Sequence, residues 1–248
     1  DALATGHYVR RADGGDGPEL HRAADSSRDQ SYFLFATTAE QLAYLRFPLG
    51  GMTKDEVRAR AARLGLSIAA KPDSQDICFV PDGDYARVVA RLNARAAEPG
   101  DIVALDGRVL GRHDGIVHFT VGQRRGLGVG GTAEPLYVVR LDAPARRVVV
   151  GPRAALAQST VAVDGLNWIA APIPGDGFEV EVRLRSTQPP VAARVFADGA
   201  GGAGGARVEL ALPEQAVAPG QACVFYRGSR MLGGGWIRRR APAAAAAA

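Results

Sequence analysis

At residue 100 the hydrophobic rhythm of the sequence changes. Up to Pro99-Gly100 helical spacing is mixed with short apolar runs. Beyond it apolar and polar residues alternate, the period of a strand with one face buried. Strands are expected at 100–105, 109–113, 137–142 and 147–150, with Asp106-Gly107 as a hairpin turn between the first two. More follow at 160–163, 178–185, 191–196, 207–212, 222–226 and 231–238. The chain is therefore an α/β part followed by two β-rich parts, without internal repeats.

Before that change the signals are more varied. Residues 1–10 read as the end of a buried strand running into the turn at Gly6, with no partner strand nearby. The sheet to which it belongs is expected to be mostly missing, so the chain is a fragment or another chain supplies the rest. The polar, Gly-rich stretch 10–17 suits a hairpin or an exposed loop. Asp25-Ser-Ser are good N-caps, and the apolar residues after Gln30 suit a helix start with Arg28, Asp29 and Gln30 in its exposed first turn. Thr53-Lys-Asp-Glu56 is a capping box, followed by Val57, Ala61 and Leu64 at helical spacing and closed by Gly65. Residues 66–70 read as a short strand, 71–76 as a loop into the apolar run Ile77-Cys78-Phe79-Val80, and 84–97 as an amphipathic helix. Residues 198–205 are a Gly/Ala-rich loop tip, and 241–248 a low-complexity tail.

Composition narrows the class. At 248 residues the chain suits one large domain or two ordinary ones. Hydrophobic residues make up 47% and charged ones 23%, which excludes disordered and fibrous classes for most of it. Aromatics are only 6%, so the core must rest on Val, Leu, Ile and Ala. No apolar run reaches the length of a membrane-crossing helix, and the first residues lack a signal-peptide pattern. Two cysteines, Cys78 and Cys223, are too few for a disulfide scaffold or a four-ligand zinc site, which fits a reducing, cytoplasmic setting. The net charge of +4 is compatible with an RNA partner. Nearly all the basic residues are arginine, which suits phosphate recognition and equally suits a bias toward Ala, Gly and Arg codons.

Several side chains could carry chemistry. Cys78 stands where a loop meets an apolar run. It is either a reactive thiol, activated by Lys71 or an arginine, or a packed one, and the run by itself favours packing. Cys223, in Ala-Cys-Val-Phe-Tyr, reads as core. His7 follows Gly6 at a strand end, where α/β proteins place ligand loops; it is equally a plain turn histidine. His113 and His118 lack a third ligand at metal-like spacing, so no metal site is expected. Val121-Gly-Gln-Arg-Arg-Gly-Leu-Gly-Val-Gly-Gly131 lacks the strand and helix of a dinucleotide fingerprint. It reads better as a basic loop able to approach a phosphate backbone.

Six motifs occur in order: Ala-Thr-Gly-His-Tyr, Ser-Arg-Asp-Gln-Ser-Tyr-Phe-Leu, Lys-x-Glu-Val-Arg with Leu-Gly-Leu, Asp-Ser-Gln-Asp-Ile-Cys-Phe, Thr-Val-Gly-Gln-Arg-Arg-Gly-Leu-Gly, and Pro-Gly-Gln-Ala-Cys-Val-Phe-Tyr with Leu-Gly-Gly-Gly. Together they resemble the bacterial tRNA-specific 2-thiouridylases, the MnmA (TrmU) family, over residues 1 to about 240. The resemblance implies an α/β remnant of an adenine nucleotide α-hydrolase-like (PP-loop) domain over 1–85, a small central domain over 86–152 and a C-terminal β-barrel over 153–240. It implies ATP-dependent 2-thiolation of wobble uridine 34 in tRNA. ATP adenylates the C2 oxygen, a cysteine persulfide loaded by a sulfur-relay protein delivers sulfur, and a second cysteine releases it with formation of a disulfide.

By the same resemblance Cys78 matches the persulfide cysteine and Gly6 a nucleotide-contacting position. His7, the triplet Arg28, Asp29 and Gln30, the pair Arg185 and Ser186, and Gln221 match tRNA contacts. Ser186 stands where the family pattern carries an aromatic residue. The family's Ser-Gly-Gly-x-Asp-Ser phosphate loop does not occur in the 248 residues, and its other catalytic cysteine is expected upstream of residue 1. The polypeptide alone is therefore expected neither to bind ATP productively nor to thiolate tRNA. The alternatives are a non-catalytic tRNA-binding module and the C-terminal half of a split enzyme whose N-terminal half is a separate chain.

Overall fold

A computed structural model describes residues 1–70, 85–131, 134–169, 177–197 and 205–239. Cys78 with its flanking loop, most of the Gly/Ala-rich tip and the low-complexity tail lie outside the described residues. The strands are β1 (Leu3–Ala4), β2 (Val9–Gly14), β3 (Gly17–Arg22), β4 (Leu45–Arg46), β5 (Gly100–Ala104), β6 (Val109–His113) and β7 (Tyr137–Asp142). They continue as β8 (Arg147–Gly151), β9 (Ala157–Trp168), β10 (Phe178–Arg183), β11 (Val191–Ala197), β12 (Ala206–Gln215), β13 (Ala222–Arg227) and β14 (Arg230–Ile237). The α-helices are α1 (Ala39–Tyr44), α2 (Lys54–Arg63) and α3 (Tyr85–Leu92). Residues divide into two compact units: 1–71, 159–213 and 218–248 form one, and 72–158 with 214–217 the other.

In the first unit β9–β14 close a six-stranded barrel in the order β13-β10-β11-β12-β9-β14, with β14 pairing back onto β13. The N-terminal hairpin β2–β3 joins the same sheet. β9 reaches along β14 only from Gly233 to Ile237, and β3 takes the remaining edge, with Leu20 opposite Met231. Strand β13 is apolar at every position from Ala222 to Tyr226 because both its faces are covered. Ala222, Val224 and Tyr226 pack with Val9, Leu20, Tyr32, Phe35, Leu42 and Met231. Cys223 and Phe225 point to the opposite face, where Phe225 stacks on Trp168 with ring centroids 4.9 Å apart.

Three local expectations are corrected here. Residues 25–34 form two 3-10 turns, Ser26–Arg28 and Ser31–Leu34, and not the start of an α-helix. The side chains of Asp29 and Gln30 bond to backbone groups elsewhere and compete with helix propagation. Residues 67–70 form a 3-10 turn in place of a strand. At the N-terminus, β1 pairs in parallel with β4 over two residues, but Leu3 is exposed, so this is a surface ribbon and not a buried strand. Helix α2 begins as expected: Thr53 and Glu56 exchange both capping bonds.

The second unit holds a sheet in the order β6-β5-β8-β7, packed on a core of Ile102, Leu127, Val138, Val148 and Val150. His113 is buried at its edge. Its Nδ1 accepts from the Gly115 N–H at 3.0 Å, so Nε2 carries the proton and donates to the Arg146 carbonyl at 3.2 Å. Burial holds its pKa below the ordinary value of 6.5, with the Arg146 bond opposing. Protonation therefore favours the unfolded chain. The stability contributed by neutral His113 is present above pH 6.5 and is lost as pH falls toward the folded value, at up to about 1.4 kcal/mol per pH unit for one proton. Melting curves at pH 7.5 and 5.5 are expected to show a larger loss in the wild type than in His113→Asn.

Candidate nucleic-acid interface

The candidate contacts are scattered through the sequence, but the barrel unit joins them through hydrogen bonds. Segment 28–32 is the junction. Gln30 pairs reciprocally with Tyr8: its Oε1 accepts from the Tyr8 N–H at 2.8 Å and its own N–H donates to the Tyr8 carbonyl at 3.1 Å. This fixes the neighbouring His7, whose Nδ1 lies 2.9 Å from Thr5 Oγ1. Tyr8 is buried, and the Lys54 ammonium lies 5.8 Å from its ring centroid. At the far side of the segment the Tyr32 hydroxyl accepts from the Ala222 N–H at 3.1 Å. It donates to the Ala222 carbonyl at 3.0 Å and borders Gln221 Oε1 at 3.4 Å. Burial raises the Tyr32 pKa, so the hydroxyl keeps its proton.

Asp29 anchors the third connection. Its side chain is 2% exposed and Oδ2 meets Arg183 Nη1 at 2.7 Å. Arg183 Nε donates to the Gln188 carbonyl at 3.0 Å, and Nη2 donates to the Ser186 carbonyl. The loop bearing Arg185 and Ser186 is thereby tied to the segment bearing Arg28. Arg28, Arg185 and Gln221 are exposed, and His7, Gln30 and Ser186 half-exposed. Asp29, by contrast, turns its carboxylate inward. Gly6 is exposed, and an added Cβ would meet only Leu49 Cδ1 at 3.7 Å.

Arg183 escaped the sequence reading. In Phe-Glu-Val-Glu-Val-Arg, strand alternation puts it on the outward face with Glu179 and Glu181. Asp29 and Tyr32 lie against its guanidinium there, which also reaches the Ser186 and Gln188 carbonyls. Tyr32 falls inside one of the six motifs, but nothing local marks its hydroxyl as a link to β13.

In the other unit the 121–131 loop is held by Gln123, whose Oε1 accepts from the Thr120 N–H at 3.0 Å and whose Nε2 donates to the Arg125 carbonyl at 2.9 Å. Leu127 anchors the loop in the core, while Arg124 and Arg125 are exposed beside an open cleft. Among the described residues there is no group of three metal-ligating side chains, and no helix is long and apolar enough to cross a membrane. Cys223 is fully buried, as read from its strand pattern, and burial pushes its thiol well above the usual range.

Three family models match consecutive parts of the chain: a tRNA methyl transferase HUP domain over residues 1–82, a tRNA methyl transferase PRC-barrel domain over 91–152 and an aminomethyltransferase β-barrel domain over 158–237. A HUP portion, a PRC-barrel domain and a closed β-barrel, in that order, define the class of architecture to which the chain belongs. The tRNA-specific 2-thiouridylase MnmA of Rhizorhabdus wittichii is 62% identical over 251 residues, covering 100% of this chain and 63% of that protein. The proteins of the same name from Rhodospirillum centenum and Paracoccus denitrificans are 60% and 58% identical, over 96% and 97% of the chain and 62% of each relative. The chain belongs to the MnmA family and spans a little under two thirds of the length of these curated relatives.

Proposed function

We propose that the chain is the tRNA-holding and sulfur-carrying portion of a tRNA 2-thiouridylase, a sulfurtransferase acting in the reducing cytoplasm. The observation that carries this is the bonding of segments 7–8, 28–32, 183–188 and 221–222 into one assembly that leaves Arg28 and Arg185 exposed. His7, Arg28, Gln30, Arg185, Ser186 and Gln221 would then meet the RNA, with exposed guanidinium groups suited to phosphate. Cys78 would carry the persulfide sulfur received from a relay protein and pass it to C2 of the wobble uridine. Because no Ser-Gly-Gly-x-Asp-Ser loop occurs in these 248 residues, ATP chemistry falls mostly to residues outside them, in the same polypeptide or in a separate half, with Gly6 as the one nucleotide-contacting position in this chain. That same deficit favours one second reading: a chain that grips tRNA without modifying it.

Titration with tRNA over a range of salt tests the binding. Affinity should fall as salt rises, with a slope set by the number of phosphates neutralised. Replacing Arg124 and Arg125 by Ala should reduce that slope by about one for each phosphate that is no longer neutralised. An unchanged slope would remove the 121–131 loop from the interface, and salt-independent binding would remove the proposal. Formation of 2-thiouridine by the purified 248-residue chain with ATP and a sulfur donor would refute the assignment of ATP chemistry elsewhere.

A further inference from the structure

Asp29 sits between the exposed Arg28 and the half-exposed Gln30, yet its carboxylate is all but shut off from solvent and its bonding capacity is used inside the fold. Oδ1 accepts from the N–H groups of Ala23 and Ser31, both at 3.2 Å. Oδ2 accepts from Ser31 Oγ at 3.0 Å and Arg183 Nη1 at 2.7 Å, and Arg22 Nε stands 3.6 Å away. Because Ser31 gives its proton to Asp29, its oxygen takes one from the Tyr226 hydroxyl 3.0 Å away. Arg183 is 8% exposed and uses its fork on Asp29, Ser186 and Gln188. A carboxylate so placed cannot reach a phosphate or a base, and an exposed one there would repel phosphates.

We infer that Asp29 and Arg183 are positioning residues for RNA: their buried ion pair locks the 28–30 segment to the 185–188 loop, so that Arg28 and Arg185 are presented as one preorganised cationic surface. The inference rests on the tRNA-binding reading above. The gain is entropic. Two loops already fixed by a common ion pair need no ordering when RNA binds, whereas loose loops carrying the same charges must be ordered on binding. Charge count sets the salt slope, and preorganisation sets affinity at a given salt.

The experiment is titration of the 248-residue chain with purified tRNA between about 50 and 200 mM salt. Hydrogen exchange across 184–188 is read on the same proteins. Asp29→Asn and Arg183→Lys are each expected to weaken binding by about tenfold at an unchanged salt slope. Exchange at the Gln188 amide, which donates to the Arg185 carbonyl at 3.2 Å, should quicken in both. Arg185→Ala should instead lower the slope by about 0.7 to 0.9. An Asp29→Asn chain that binds as tightly as the wild type, or more tightly, overturns the inference, because direct contact predicts relief of repulsion. Should Asp29→Asn not fold, Arg183→Lys decides alone. It keeps the charge but not the fork, and wild-type affinity with wild-type exchange would overturn the lock. A wild-type chain with no salt-dependent binding defeats the functional reading and the inference with it. Normal wild-type binding with unaffected variants defeats the inference only.

Discussion

Incubated with a persulfide donor, the chain is expected to gain one sulfur atom on the peptide containing Cys78 and none on the peptide containing Cys223. The fold removes Cys223 from contention. Cys223 lies on β13 with no exposed surface, and burial alone drives its pKa upward. A thiol must ionise to attack a persulfide, and Cys223 bears the desolvation of a charge with no cation among the described residues to offset it. Cys223→Ala should therefore leave loading unchanged and cost only packing. Cys78→Ser should abolish loading, since an alcohol oxygen holds no transferable sulfur. In the complete enzyme the same exchange should lower 2-thiouridine formation by on the order of 10³ or more, the scale of removing a covalent nucleophile. Mass spectrometry of the alkylated peptides reads the first result and nucleoside analysis the second. Full activity in Cys78→Ser would end the proposed sulfur route.

The strands after residue 100 were legible because each buries one face or both, and period two survives either case. Which case applies was not legible. Ala222–Tyr226 reads as a plain apolar strand, and only the hairpin and the 29–35 segment over its outer side explain the apolar residues there. The pairing of β3 with β14 joins residues about two hundred positions apart, and no local signal encodes it. Arg183 failed for the same reason: alternation faces it outward, and the cover arrives from a distant part of the chain. At Asp25–Gln30 only Asp25 of the three expected caps is one, Ser26 and Ser27 lying inside the turn it caps, and Asp29 and Gln30 serve the backbone of residues 8, 23 and 31 and stop the helix. The candidate contacts were named through motif resemblance, and their mutual bonding through Tyr8, Asp29, Tyr32 and Arg183 needed the fold.

Gly233→Ala is expected to lose about 3–5 kcal/mol, a large part of the stability of a typical domain. The run Gly233-Gly-Gly235 lies where β14 passes between β13 and β9 and closes the barrel. Gly233 has φ +152°, and an ideal Cβ there would lie 2.2 Å from the Asn167 carbonyl oxygen. Beside it, a Cβ on Gly234 would lie 2.8 Å from the Cys223 carbonyl oxygen, and one on Gly235 2.6 Å from that of Asp164. These obstacles are backbone atoms of paired strands, so no rotamer change relieves them. Relief requires β9 and β14 to separate, which breaks ladder bonds and uncovers the core beneath. Backbone strain can be measured apart from the clash. Gly220, with φ +84°, has nothing within 4 Å of an added Cβ, so Gly220→Ala should cost only about 1–2 kcal/mol. Urea denaturation of both variants gives the comparison. The closure argument requires the midpoint of Gly233→Ala to fall well below that of Gly220→Ala. Equal midpoints would mean that the strands yield freely and that Gly233 serves backbone conformation alone.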